Sequence, residues 1–184
     1  MGSYLVLAMG AGLQAVSGNL VLQEPASEYH YSRETGRVVE LAIKVGSEVA
    51  KKKVMLEYVS EDSKKTKTLI SNENGYVDYV NPNAVPGKVF APGELLLRVQ
   101  SNRVFGAHYF EQKEIESMGF ALEIQAKGRL WLCSDARPIE VRVDDIAKNS
   151  LLVSMKLKKE EYSQLQHTIT EGSIALHQSM QACL

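Results

Sequence analysis

The sequence predicts a mainly β protein in two parts: a tandem pair of similar β-rich halves, then a second β domain with short helices. Three observations predict it. The stretch Gly36–Val59, GRVVELAIKVGSEVAKKKVMLEYV, is followed by a second copy at Gly75–Val99, GYVDYVNPNAVPGKVFAPGELLLRV. Short apolar runs alternate with Gly, Pro and Asn turn signals throughout both copies. Beyond Gln100 the pattern becomes strand, charged short helix, glycine, strand, and this repeats weakly to the end of the chain. Within the tandem pair, Val49 aligns with Val89 and Val59 with Val99. Gly36 aligns with Gly75 and Val38 with Val77, one residue out of phase, because the second copy carries a longer loop.

Length and composition bound the answer. With 184 residues and 45% hydrophobic side chains the chain can build one large or two small cores. Lys and Arg number 21 against 22 Asp and Glu, a net charge of −1. That balance gives no broad basic surface, so nucleic acid is not an expected partner. Cys133 and Cys183 are far apart and in no metal or redox spacing. They are read as free thiols, with a disulfide between them as the alternative.

The elements follow in chain order. Tyr4–Val16 is apolar but shorter than the roughly 20 residues that span a bilayer. It lacks the basic flank of a signal peptide, and reads either as a buried strand or tail or as the exit end of a membrane anchor. Gly18–Tyr31 reads as lead-in strands, with Leu20–Leu22 before Pro25 and Tyr29 and Tyr31 after it. Ser32–Gly36 turns the chain into a strand over Val38–Val45. Gly46 and Ser47 form a tight turn, because glycine reaches positive φ without steric cost. Three lysines in a row, Lys51–Lys53, cannot all face a core and form a solvated turn before the strand Val54–Ser60. Glu61–Thr68, EDSKKTKT, has no apolar periodicity and is a polar tip between the halves. Gly75, Gly87 and Gly93, with Pro82, Pro86 and Pro92, punctuate the second half. The later elements are a strand at Val104–Phe110, a short helix at Glu111–Met118 stopped by Gly119, and strands at Phe120–Gln125, Leu130–Cys133 and Ile139–Val143. Asp144 and Asp145 fall at a turn. A strand at Leu151–Leu157, a short helix at Lys158–Gln166 and a strand at Ser173–His177 complete the chain. Successive strands of this kind fit a closed barrel, which leaves no exposed edge, with N-terminal strands available to complete it.

Few residues invite a catalytic reading, and the protein is read as not an enzyme. His30, His108, His167 and His177 are scattered, without zinc spacing. Asp144–Asp145 is a solvated pair rather than a metal site. No nucleophile elbow or phosphate loop is present. No cofactor is implied, except through Lys64 and Lys65, which stand at the tip between the two halves, where an acyl-carrying lysine would need to be exposed.

These residues together resemble a known family. The paired halves look like the biotinyl/lipoyl-type barrel-sandwich hybrid, and the whole chain resembles the HlyD-type membrane fusion proteins, the periplasmic adaptors of bacterial exporters. The matching positions are Gly36, Val38, Val45-Gly46-Ser47, Val49 and Lys52-Lys53 in the first half. In the second they are Asn74-Gly75-Tyr76-Val77, Gly87, Val89, Pro92-Gly93 and Leu95. Val16–Pro25 resembles the strand entering the family's β-barrel. The closest likeness is to adaptors of peptide or bacteriocin exporters. Two departures stand out. Lys53 occupies a position where the family often has glycine, and the long α-helical hairpin that the family inserts between the halves is absent. About nine residues, Ser60–Thr68, stand in its place, under three turns of helix.

The resemblance implies four segments: an apolar N-terminal segment (1–17), lead-in strands (18–35), a lipoyl-like hybrid (36–100) and a membrane-proximal β-barrel (101–184). It implies a non-enzymatic adaptor working by assembly. The partners would be an inner-membrane transporter, ABC or proton-driven, and further copies of the chain, in an extracytoplasmic, membrane-anchored setting. The contact surfaces would be the hybrid's edge strands and the tip carrying Asp62, Lys64, Lys65 and Lys67. The short tip argues against an outer-membrane channel as a hairpin-mediated partner. Two alternatives stay open: a lipoyl or biotinyl carrier modified at Lys64 or Lys65, and a cell-envelope structural module.

Overall fold

The computed structural model describes residues 15–110 and 128–184. Most of Tyr4–Val16, the helix expected at Glu111–Met118 and the strand expected at Phe120–Gln125 lie outside the described residues. The chain divides into two compact units. One comprises Gln23–Val104 with Leu157–Lys159, and the other the chain up to Leu22, Phe105–Lys156 and Glu160–Leu184.

The first unit is the hybrid. Its strands are β2 (Ser27–Tyr31), β3 (Gly36–Leu41), β4 (Glu48–Val49), β5 (Val54–Ser60), β6 (Thr66–Ile70), β7 (Gly75–Val80), β8 (Val89–Phe90) and β9 (Leu95–Ser101). They form two four-stranded sheets, ordered β2-β9-β7-β4 and β6-β5-β3-β8. The two orders are one pattern repeated: β2 corresponds to β6, β9 to β5, β7 to β3 and β4 to β8. The repeat therefore reaches back to β2, and each half gives its two-residue strand to the other half's sheet. Backbone bonds tie this exchange identically on both sides. Gly46 N–H donates to Val77 O (2.7 Å) and Gly87 N–H to Val38 O (2.8 Å), while Val77 N–H donates to Ser47 O and Val38 N–H to Lys88 O (both 2.9 Å).

The register corrects the sequence alignment. Gly75 pairs with Val49 on β4, and Gly36 pairs with Phe90 on β8. The partner of Val49 in the other half is therefore Phe90, not Val89. Val49 and Phe90 are 4% and 1% exposed, whereas Val89 is 45% exposed. In the same way Val59, opposite Arg37, corresponds to Gln100, opposite Tyr76, and not to Val99. The loop between β7 and β8 runs over 81–88 and that between β3 and β4 over 42–47, a difference of two residues rather than one. Because side chains on a strand alternate with period two, a one-residue slip exchanges core and solvent faces.

The sheets enclose a core of Val38, Val49, Met55, Leu56, Val77, Phe90, Leu96, Leu97 and Val99. Gly46, Gly87 and Gly93 have φ near +85° (87°, 83° and 83°), where side chains clash. Gly36 and Gly75, expected at turns, instead open β3 and β7, and there the requirement is room. A Cβ on Gly75 would lie 2.1 Å from Gln100 O, and one on Gly36 2.5 Å from the Phe90 ring. Lys52 has φ 69° and stands opposite Gly93 in the repeat. The glycine-like turn position is thus Lys52, not Lys53.

The second unit is a closed six-stranded barrel. To β1 (Ala15–Leu22) it adds β10 (Arg103–Tyr109), β11 (Arg129–Leu132), β12 (Ile139–Ala147), β13 (Ser150–Lys156) and β14 (Ile174–His177), in the order β1-β10-β13-β12-β11-β14. The N-terminal strand completes the barrel, pairing antiparallel with both β10 and β14. Leu20, Leu130, Leu132, Ile139, Val141, Leu151, Val153 and Leu176 fill it. Gly18 lets β1 approach β10, since a Cβ there would meet Tyr109 O at 1.9 Å. The helix α1 (Lys159–Glu171) is longer than the charged segment predicts and buries Leu165 and Glu161. Glu161 is held by Arg137 Nε (2.7 Å) and Nη2 (2.9 Å).

Two expectations are corrected here. Asp144 and Asp145 lie within β12, at a bulge between Val143 and Asp145, not at a turn. Cys133 and Cys183 are joined by a disulfide, with Cα atoms 5.0 Å apart, and are not free. β11 and β14 are neighbours, with Trp131 opposite His177. Cys133 follows β11, and Cys183 ends a 3₁₀ helix (Met180–Cys183) shortly after β14. The 50-residue separation hid that proximity.

Candidate interaction site at the tip between the halves

The segment joining the halves is a β-hairpin. β5 ends at Ser60 and β6 starts at Thr66, so Thr66–Thr68, expected in the polar tip, belong to a strand. The turn is tight. Ser60 N–H donates to Lys65 O (3.0 Å), Lys64 N–H donates to Ser60 O (2.9 Å), and Glu61 N–H donates to Thr35 O (3.0 Å). Lys64 adopts φ 56°, and Ser63 N–H is capped by Ser60 Oγ at 3.2 Å.

The tip side chains are largely committed to local pairs. Glu61 lies 3.0 Å from Lys64 Nζ and 3.3 Å from Arg37. The Lys64 hydrogen bond, more than any other influence, holds the Glu61 carboxyl below its ordinary range. Lys67 Nζ lies 2.5 Å from Glu34 Oε1. Asp62 and Lys65 are exposed.

Glu34 is the hub of the site. It accepts from Tyr58 Oη (3.0 Å), Ser60 Oγ (2.6 Å) and Lys67 Nζ (2.5 Å). The bond from Lys67 and then that from Ser60 depress its pKa. Burial, reinforced by the Glu34 charge, raises that of the Tyr58 phenol. Beside this hub lies a cavity of about 360 Å³ whose lining includes the apolar Leu69, Phe90 and Leu96 and the charged Arg33, Glu34 and Lys67. Glu34 and Tyr58 escaped the sequence reading, since nothing in the sequence separates Glu34 from other turn glutamates. Its role appears only when β3, β5 and β6 pair.

The corresponding place in the other half carries different groups. His30 Nε2 lies 3.0 Å from Glu28 Oε1, and Asn72 donates to the same carboxylate from its backbone N–H (3.1 Å) and its side-chain amide. Burial lowers the His30 pKa against the opposing pull of Glu28. The other histidines sit on separate elements: His108 is buried with Nε2 at 2.9 Å from Ile174 O, His167 lies 3.4 Å from Glu171 on α1, and His177 is on β14. Among the described residues no three His, Cys, Asp or Glu side chains gather to hold a metal ion.

No family model matches the sequence, and no curated protein matches it. Solved structures do resemble the fold. ZneB from Cupriavidus metallidurans is 14% identical over 82% of this chain and 94% of its own, with a TM-score of 0.39. A membrane fusion protein from Streptococcus pneumoniae R6 is 12% identical over 78% of this chain and 92% of its own, with a TM-score of 0.36. A protein assigned as an efflux transporter from Bacteroides eggerthii is 10% identical over 90% of this chain and 68% of its own, with a TM-score of 0.56. At that last level of likeness, over nine-tenths of its length, this chain shares the fold of the Bacteroides protein.

Proposed function

We propose that this chain is a non-enzymatic adaptor subunit of a bacterial export system, joining an inner-membrane transporter to other envelope components. The observation that carries the reading is the architecture itself: a strand-exchanged hybrid and a six-stranded barrel in one chain, a fold shared with a protein assigned to efflux. The HlyD-type resemblance of the repeat motifs agrees with it. The Cys133–Cys183 disulfide supports an extracytoplasmic location, because disulfides persist in oxidising compartments. Among the described residues no helix is long and apolar enough to cross a membrane.

In this reading the work is assembly. The edge strands β2, β4, β6 and β8 and the charged tip meet neighbouring copies, and the barrel meets the transporter. The tip is a tight turn, so it reaches an outer-membrane channel only if a partner supplies the missing length. The test is capture from native membranes by the tagged protein, with and without cross-linking, together with sedimentation at high concentration. A co-purifying transporter and concentration-dependent self-association are expected. A strict monomer that captures no transporter would overturn the proposal, as would an intact mass showing a lipoyl or biotinyl adduct on Lys64 or Lys65.

A further inference from the structure

The two sheets of the hybrid are built on one pattern, so each outer face serves as a control for the other. On the β2-β9-β7-β4 sheet, Tyr29 pairs with Arg98 and Arg98 with Tyr79, while Ser27 pairs with Gln100 and Gln100 with Tyr76. Paired residues share a face, as do residues two apart on a strand. Tyr29, Tyr31, Tyr76 and Tyr79 therefore lie on one side of the sheet, four of the chain's eight tyrosines, with Tyr29 and Tyr31 exposed, Tyr79 half-buried and Tyr76 buried. The corresponding positions of the other sheet hold Thr68, Ile70, Arg37 and Glu40. The fold plainly does not require aromatic rings there.

The geometry is that of a platform. Tyr29 and Tyr31 are 51% and 54% exposed. Their ring centroids are 6.3 Å apart and the ring planes 17° from parallel, so successive positions of the edge strand present similarly oriented rings. Beside them Arg98 Nε donates to both oxygens of Asp78 (2.9 and 2.8 Å), and its guanidinium lies 5.9 Å from the Tyr29 ring centroid. Tyr76 Oη donates to Gln100 Oε1 at 2.6 Å. The Arg98–Asp78 pair cancels its own charge. The next charged position on these rows, Glu48, is on the opposite edge strand. In the other sheet Glu57 takes the place of Arg98, beside Arg37 and Glu40.

A ligand complementary to this face is neutral, presents flat apolar surfaces at successive intervals and carries hydroxyls at its rim. An extended chain of pyranose rings has these properties. Its C–H faces lie on aromatic plates, and its hydroxyls bond to planar polar side chains. A nucleic acid or an acidic peptide would instead need uncompensated positive charge. We propose that the Tyr29–Tyr31 face is a binding platform for a β-linked oligosaccharide, with rings stacked on the two tyrosines and hydroxyls bonded by Arg98, Asp78 and Gln100. This inference does not rest on the adaptor reading.

The test titrates the full chain with chitohexaose and, separately, cellohexaose, followed by NMR of the tyrosine ring signals. Saturable shifts at Tyr29 and Tyr31 are expected with at least one sugar. Tyr29→Ala and Tyr31→Ala should each weaken binding roughly three- to tenfold. The double variant Tyr29→Thr with Tyr31→Ile should weaken it more than either. Those are the residues that the other edge strand carries at the equivalent positions, so the fold accommodates them. Thr68→Ala with Ile70→Ala should bind as the native chain does. The proposal is overturned if neither sugar shifts these signals, if the Thr/Ile variant binds with native affinity, or if the shifts track protein concentration rather than sugar, which would mark self-association.

Discussion

Ser32 and Ser71 occupy the same place in the two halves of the hybrid. Ser32 N–H donates to Glu94 O (2.8 Å), and its carbonyl accepts from Gly93 N–H (2.8 Å). Ser71 N–H donates to Lys53 O (3.0 Å), and its carbonyl accepts from Lys52 N–H (2.6 Å). Both serines are buried. Each fastens the end of an edge strand to the turn that feeds the adjacent strand. The turn residue bonded to it is left-handed in both cases, a glycine in one half and a lysine in the other.

This pairing makes the two turns directly comparable. Gly93→Lys adds the penalty for a side chain in left-handed backbone but removes unfolded-chain entropy, so it should destabilise by no more than about 1 kcal/mol. Lys52→Gly relieves that penalty but adds unfolded-chain entropy, so it should lie within about 0.5 kcal/mol of the native protein. Urea midpoints at constant m-value measure both. Equal effects of the two changes would show that the turns are not equivalent.

Gly75→Ala and Gly36→Ala separate lack of room from backbone strain. At Gly75 the obstacle is a backbone oxygen, Gln100 O at 2.1 Å, whereas at Gly36 the nearest atoms belong to the Phe90 and Tyr58 rings. Rings can shift and a strand in a ladder cannot. Gly75→Ala should therefore cost about 3 kcal/mol, at the upper end of overpacking effects, and Gly36→Ala less. Thermal unfolding of the two variants gives the order. The reverse order would sink the argument.

The disulfide should stabilise the barrel and not the hybrid, which contains no cysteine. Cys133→Ser with Cys183→Ser, or reduction, should lower the barrel's stability by about 2–4 kcal/mol for a loop of this length. Native-state hydrogen exchange reads the units separately: protection should fall in β11 and β14 and persist in β3, β5, β7 and β9. Uniform loss, or none, would contradict this.

Glu34 should give the hybrid an acid-side dependence. Its folded pKa lies below the ordinary value of 4.5, chiefly through Lys67 and then Ser60. A depressed carboxylate contributes stability that is fully present above the unfolded pKa and lost as pH falls through the folded one. Glu34→Gln should therefore destabilise at pH 7, with a difference that shrinks below about pH 4.5. Denaturant titrations across pH 3–7 test it. A difference constant with pH would mean that packing, not charge, is what the substitution removes.

The parts of the fold legible in the sequence are those set by local chemistry. Alternating apolar runs mark strands, and Gly46, Gly87 and Gly93 mark turns that need positive φ. The tandem copies marked the hybrid, and the apolar run at Leu20–Leu22 marked a strand that completes the barrel. At the site, the sequence marked the tip lysines as solvated but not their partners. Glu34 reaches Lys67, and Arg37 reaches Glu61, only once the strands are in register, whereas Glu61 and Lys64 meet within a single turn.

Long-range placement was decided by tertiary structure. Both copies exchange their short strand, β4 or β8, and the match of Val49 to Phe90 depends on a loop two residues longer in one copy. Pattern comparison cannot fix that count, because Val89 and Phe90 are both apolar and only burial tells them apart. The Cys133–Cys183 bond depends on β11 and β14 being neighbours in a closed barrel, a pairing between segments far apart in the chain. Composition and periodicity therefore determined that this protein is two β units, one of them duplicated, because those signals act over a few residues. Which strand neighbours which, and so which side chains meet, was decided only when the sheets closed, because that choice minimises the exposure of apolar faces over the whole unit.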